Sequence, residues 1–195
     1  MDDQDLPAAL ATDLNSSFEQ LVLAYQHRLY AFALRLSGIP QDAEEIAQDA
    51  FMRAYRALTK YPPWRIRTLA LRPWLHQIVL NVFRNRVRNR QLPVVPLDRG
   101  HEEGELELED DKEAGPDMAL ERAELKASLA TLVATLPERY RAAVVLRHVQ
   151  GLSYGEMAAV LKQPIGTIKA NVHRGVRILR EAFDDRQRTA GPRCQ

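Results

Sequence analysis

Apolar residues recur at intervals of three and four along most of the chain, the spacing of one helix face. Phe18, Leu21, Val22, Tyr25, Leu29, Phe32, Ala33 and Leu36 form the first such stripe. Gly38-Ile39-Pro40 closes it, because glycine accepts a left-handed cap and proline cannot continue a helix. A second stripe of Ile46, Ala47, Ala50, Phe51, Ala54, Tyr55 and Leu58 runs to the break at Tyr61-Pro62-Pro63-Trp64. An irregular stretch is expected to about Arg72. A third helix opens near Pro73, a residue suited to a first helical position. Its apolar face is Leu75, Ile78, Val79, Val82 and Phe83. No alternating strand pattern of useful length interrupts these helices, so the block is expected to be all-helical.

From Pro93 the pattern changes. Pro93 and Pro96 stop regular structure, and HEEGELELEDDKEAGPD is acidic and free of aromatics. Such a composition buries too little apolar area to offset chain entropy. Helical periodicity resumes with Leu125, Leu129, Leu132, Val133 and Leu136, closed by Pro137. A helix over roughly 138–149 stops at Gln150-Gly151. The expected fold class is all-α, with two small helical domains joined by a flexible acidic linker. Its parts are a disordered tail over 1–15, a domain over 16–92, the linker over 93–117, a second domain over 118–184, and a disordered tail over 185–195.

Charge sharpens this division. The whole chain carries a formal +1, from 27 Lys+Arg and 26 Asp+Glu. Residues 16–92 hold 12 bases against 5 acids, residues 98–117 hold 2 against 10, and residues 118–195 hold 13 against 7. Two cationic blocks separated by an acidic one suggest a polyanionic partner. The single cysteine, Cys194, leaves no intrachain disulfide and no cysteine metal site. No run approaches 18 apolar residues, and the acidic start lacks the order of a signal peptide. A soluble protein of a reducing compartment, without membrane insertion, is therefore expected. His27, His76, His101, His148 and His173 form no ligand-spaced cluster, and no Gly-rich phosphate loop is present. An enzyme is not expected, nor is a cofactor or a metal.

The most informative stretch begins at Ser153-Tyr154-Gly155-Glu156, a capping box in which Ser153 and Glu156 satisfy each other's orphan N–H groups. The short helix it starts carries Met157, Ala158, Val160 and Leu161. Lys162-Gln163-Pro164 makes a turn, and a longer helix runs from about Ile165 to Phe183. Short capped helix, tight turn and basic helix make a helix-turn-helix signature. At about 100° per residue from Ile168, Val172, Val176, Leu179 and Phe183 fall between about 20° and 80°. Lys169, Ala170, His173, Arg174 and Arg177 fall between about 100° and 240°. One narrow stripe packs and the opposite arc is cationic, as a helix lying in a DNA major groove requires. A solvated basic face would carry the same charges; the capped partner helix favours DNA.

Four stretches then resemble the extracytoplasmic-function (group 4) sigma factors of bacterial RNA polymerase. FEQLVLAYQHRLYAFALRLSG is similar to the family's first helix, and DAEEIAQDAFMRAYRAL to its polymerase-binding helix. LRPWLHQIVLNVFRNRVR resembles the promoter-melting segment, and LPERYRAAVVLRHVQGLSYGEMAAVLKQPIGTIKANVHRGVRILREAF the C-terminal domain. The resemblance implies core RNA polymerase and promoter DNA as partners, an anti-sigma factor as a further one, and a cytoplasmic, nucleoid-associated bacterial protein. It places core binding on Asp42, Glu45, Gln48 and Asp49, as an acidic exposed face. It places recognition of the single-stranded −10 element on Trp64, Arg67, Asn81, Arg84, Asn85 and Arg88, where opened DNA can be trapped. Duplex −35 recognition falls on Thr167, Lys169, Ala170, His173, Arg174 and Arg177. Trp74 is expected as a core anchor.

The chain departs from the family pattern at Ala170-Asn171, often Ser-Arg, and at Gly175-Val176, often Ala-Arg. These changes are expected to alter promoter preference, and Gly175 costs helix propensity. The rival reading is a response-regulator-type transcription factor, whose output domain has a similar Ser-x-x-Glu helix-turn-helix. It requires an α/β receiver upstream, for which residues 1–92 offer no strand pattern.

Overall fold

The computed structural model describes residues 5–91 and 128–190, and every regular element among them is helical. The segment expected as a linker over 93–117 lies outside the described residues, as do residues 118–127 and Cys194. The first domain contains α1 (Leu6–Thr12), α2 (Leu14–Ser37), α3 (Pro40–Leu58), α4 (Pro63–Arg67) and α5 (Leu71–Gln91). The second contains α6 (128–135), α7 (Glu138–Val144) running into a π-turn over Val145–Val149, α8 (Tyr154–Leu161) and α9 (Ile165–Ala190).

The expected stripes build the first core. Leu21, Tyr25, Leu29, Phe32 and Leu36 of α2 are buried, facing a seam of Ala43, Ala47, Ala50 and Ala54 on α3. Small residues at spacings of four and three let two helix axes approach toward the short end of the usual 8–10 Å. Gly38, at φ 74°, turns the chain at the end of α2, its N–H donating to the Leu34 carbonyl at 2.8 Å. Pro40 then opens α3. Trp74 packs partly buried against this core, with its ring 6.2 Å from Tyr61.

Three expectations need correction. Residues 1–15 are not a disordered tail throughout, since α1 forms and buries Leu6 and Leu10 beside α2 and α4. The four acids there do not oppose this, because an i, i+4 leucine pair needs only one apolar face. Asp13 serves as the cap of α2, accepting from the Ser16 N–H at 3.2 Å, which lowers its pKa. Residues 185–190 are likewise not disordered: α9 runs to Ala190 because no breaker precedes Gly191-Pro192. Finally, the loop expected up to Arg72 contains the short helix α4, whose Ile66 is buried, and α5 begins at Leu71 rather than Pro73.

The two domains are packed together. Helix α5 lies between α2 and α3 on one side and α8 on the other. Its buried arc therefore widens beyond the expected stripe to take in His76 and Leu80, both fully buried. Polar groups seal the seam. The Arg72 guanidinium donates to the Gln150 carbonyl, and Arg84 pairs with Glu138 at 2.8 Å. Arg141 donates to the carbonyls of Leu36 at the end of α2 and of Ala134 and Leu136 in its own domain. Hydrogen bonds from a charged donor are the stronger kind, contributing about 1.5–3 kcal/mol each.

Candidate nucleic-acid and polymerase interface

The helix-turn-helix is assembled as its sequence requires. Ser153 Oγ accepts from the Glu156 N–H at 3.2 Å, and Glu156 Oε2 accepts from the Ser153 N–H at 2.8 Å. These bonds hold the Glu156 carboxyl below the usual carboxylate range, against a partial burial that acts first to raise it. Lys162 takes the left-handed conformation, φ 53° and ψ 45°, that ends α8 and turns the chain into α9. Met157, Val160 and Leu161 of α8 and Ile168 and Val172 of α9 are buried. Thr167, Lys169, Ala170, His173, Arg174 and Arg177 are all exposed along one arc of α9. Thus the structure brings all six expected −35 residues together on an open face, although the domains are packed.

Individual contacts tune this face. The Lys169 ammonium stands 5.5 Å from the centre of the Tyr154 ring, which Arg147 also covers at 4.9 Å. The Arg174 guanidinium beside the Tyr140 hydroxyl draws that phenol below its ordinary pKa. Arg177 pairs only loosely with Glu181, at 3.7 Å between two exposed side chains. Gly175 is buried against α7: a β-carbon there would stand 2.5 Å from Val144 Cγ2 and 3.3 Å from Tyr140 Cβ. Its role is close helix packing.

The first domain separates its expected residues into free and engaged ones. Trp64, on α4, is 70% exposed, and Arg67 three residues on is exposed as well. Asn81, Arg84, Asn85 and Arg88 form one stripe of α5 at helical spacing. Within it Asn81 is exposed, Arg88 donates to Asn85 at 3.1 Å, and Arg84 is engaged by Glu138 of the second domain. The expected acidic face on α3 is only partly exposed. Asp42 is buried, its carboxylate 3.5 Å from Arg86 of α5, and Glu45 pairs with the same guanidinium. Burial of Asp42 follows from its place in the first turn, on the side where α5 passes. Gln48 is exposed, and Asp49 pairs with Arg53 at 2.9 Å. Met52, 51% exposed and one turn beyond Gln48, shares this outer face, and no sequence motif singled it out.

No helix among the described residues is long and apolar enough to cross a membrane. Residues 21–92 match the family model for Sigma-70 region 2, and residues 126–179 that for Sigma-70, region 4. The RNA polymerase sigma-H factor of Pseudomonas aeruginosa is 34% identical over 187 residues, covering 93% of this chain and 92% of the relative. The ECF RNA polymerase sigma factor SigW of Bacillus subtilis is 31% identical over 173 residues, covering 87% and 90%. The ECF factor SigE of Mycolicibacterium smegmatis is 34% identical across 85% of this chain, which spans 61% of that longer relative. Among solved structures, CnrH in complex with the cytosolic domain of CnrY matches with a TM-score of 0.64 at 26% identity, over 94% of this chain and 97% of that one. The sigma factor RpoE of Bartonella quintana, in complex with the anti-sigma factor NepR, gives 0.64 at 25% identity, over 86% and 96%. The first domain is helical and is not the α/β receiver that the response-regulator reading required over residues 1–92. Two region models in order, with the sigma-H and SigW relatives matched along about nine-tenths of their length, place this chain in the extracytoplasmic-function group of the sigma-70 family, the subunits that direct core RNA polymerase to promoters.

Proposed function

We propose that the chain reads a −35 duplex with Thr167, Lys169, Ala170, His173, Arg174 and Arg177, and captures opened −10 DNA with Trp64, Arg67, Asn81, Arg84, Asn85 and Arg88. The observation that carries this reading is the arc of α9, exposed and cationic along one side while Ile168 and Val172 anchor the other. Lys169 and Arg174 have the reach and charge for guanine or phosphate, and Ala170 allows close approach. Trp64 offers an exposed aromatic plane on which an unpaired base stacks. Core polymerase is engaged by the outer face of α3, through Gln48, Asp49 and Met52, with Asp42 and Glu45 fixing that helix to α5 through Arg86. The chain works without a catalytic centre of its own, in the bacterial cytoplasm and at the nucleoid. An anti-sigma factor is a further partner.

Reading two elements at once requires the packed domains to part. They lie roughly 25 base pairs apart by their names, or about 85 Å at about 3.4 Å per pair. Helix α8 packs against both α5 and α9, so α9 stands within about two helix spacings, roughly 20 Å, of α5. The 36 residues from 92 to 127 reach at most about 130 Å, enough for the open form. Opening also frees Arg84 from Glu138.

Run-off transcription with reconstituted core polymerase on genomic promoter fragments tests the reading. The chain should direct initiation at defined start sites. Lys169→Ala or Arg174→Ala should weaken it by about 1–3 kcal/mol for each base the variant no longer touches. An unchanged promoter profile for both variants refutes the assignment of α9.

A further inference from the structure

Tyr154 occupies a position that neither DNA chemistry nor core packing alone explains. It is the first residue of α8, directly after the Ser153 cap, and its ring is only half-buried. Two cations from two other elements stand over that ring. Arg147 comes from the π-turn at the end of α7, with Cζ 4.9 Å from the ring centre. Lys169 comes from the first turn and a half of α9, with Nζ at 5.5 Å. Both distances lie within the range of about 6 Å over which an aromatic face attracts a cation.

The rest of the arrangement is fixed from behind. Arg147 Nη1 donates to the Leu152 carbonyl at 2.9 Å, tying the guanidinium to the segment that leads into α8. The π-turn is closed by the Gln150 N–H donating to the Val145 carbonyl at 2.9 Å, five residues back. Such a turn holds one residue more than an α-turn, which rotates the downstream chain by about 100°. The capping box of Ser153 and Glu156 fixes the backbone that carries the tyrosine. A ring held on rigid elements thus meets a long, flexible lysine whose end is otherwise in solvent.

We propose that Tyr154 is a positioning residue for −35 reading: its ring, steadied by Arg147, holds the Lys169 ammonium in place before DNA arrives. The inference deepens the proposed function and rests on its assignment of Lys169. The physical gain is preorganisation. A lysine already restricted near its working position loses less rotamer freedom on binding, so more of its interaction energy appears as affinity and base preference. An exposed cation–π pair corresponds to an effect of about two- to fivefold.

The test uses the full chain reconstituted with core polymerase and a duplex library randomised across the −35 element, at fixed salt. Wild type is compared with Tyr154→Leu, Tyr154→Phe, Lys169→Met and the double variant Tyr154→Leu/Lys169→Met. Lys169→Met should lose preference at particular base positions. Tyr154→Leu should weaken preference at those same positions by about two- to fivefold, with Tyr154→Phe close to wild type because it keeps the ring. The double variant should be no worse than Lys169→Met alone. If Tyr154→Leu lowers binding equally at every position, or adds its full effect to that of Lys169→Met, the proposal is overturned and Tyr154 touches DNA or core independently. An unchanged preference in Lys169→Met overturns the assignment of that lysine instead, and the proposal with it. A fluorinated tyrosine at position 154 drains the ring's negative face at constant shape. It repeats the test should the leucine variant fold poorly, and an unchanged preference there also overturns the proposal.

Discussion

Gly175→Ala sets two physical effects against each other with opposite signs. An alanine in a helix interior is favoured over glycine by about 0.8–1.0 kcal/mol, so propensity alone makes the variant more stable. Packing opposes it. The added β-carbon would lie 2.5 Å from Val144 Cγ2, 3.3 Å from Tyr140 Cβ and 3.4 Å from the Tyr140 carbonyl oxygen. Carbon pairs settle at about 3.5–4.0 Å, so α9 must withdraw from α7 by about an ångström or the valine must leave its rotamer. Valine is β-branched and stiff, and both Val144 and Tyr140 are buried, so neither yields cheaply. Overpacking of this kind costs about 1–3 kcal/mol, which leaves a net loss of up to about 2 kcal/mol after the helix gain. Thermal unfolding measured by circular dichroism should show a melting point lower by about 2–4 °C per kcal/mol. In a Val144→Ala background the same change should become neutral or stabilising. Stabilisation by Gly175→Ala in the otherwise unaltered chain would refute the packing argument.

Three other expectations concern the seam and the exposed face of α4. Arg141→Ala removes a charged donor shared by the carbonyls of Leu36, Ala134 and Leu136. Energy transfer between labels at positions 23 and 181 should fall as the domains part, whereas Glu138→Gln, losing a half-exposed ion pair worth about 0–1 kcal/mol, should change it little; equal transfer in wild type and Arg141→Ala argues against Arg141 as the fastener of the seam. Burial foremost, with Arg72 and Arg28 nearby, holds the pKa of His76 below its usual value, although its bond to the Arg72 carbonyl and the approach of Gln150 oppose this. The neutral ring is the folded form, so its contribution is complete above the unfolded pKa of about 6.5 and is lost as pH falls below it. Glu156, with its carboxyl held low, stays charged across this range and adds no titration of its own. Urea midpoints measured from about pH 8 to pH 5 should drop more steeply for wild type than for His76→Gln, and parallel curves would show that the histidine is not linked to folding. Trp64→Ala should change stability by no more than about 0.5 kcal/mol, because the ring is 70% exposed. It should nonetheless reduce open-complex formation by the about 1–3 kcal/mol of one base stack, and unaltered promoter opening would remove Trp64 from the −10 site.

Local elements and the face of α9 are legible in the amino-acid order. The stripes of α2, α3 and α5, the Ser153–Glu156 box and the turn at Lys162 are all encoded within one or two helical turns, where spacing and capping act directly. The exposed arc from Thr167 to Arg177 comes from the same periodicity. Charge misled at the two ends: the acids ahead of α2 hid the Leu6–Leu10 pair, and the polar residues after Phe183 hid a helix that only Gly191-Pro192 can stop. The partner opposite each helix, by contrast, is set by the tertiary fold. Asp42 and Glu45 read as a free acidic face until Arg86, 41 residues after Glu45 in the chain, was brought against them. Gly175 read as a loss of propensity until α7 came within contact of its missing side chain. His76, Arg72, Arg84 and Arg141 gained their roles at a seam between domains far apart in sequence. Periodicity shows which face of a helix is apolar, but the partner depends on contacts between distant segments, and a local pattern carries no information about those.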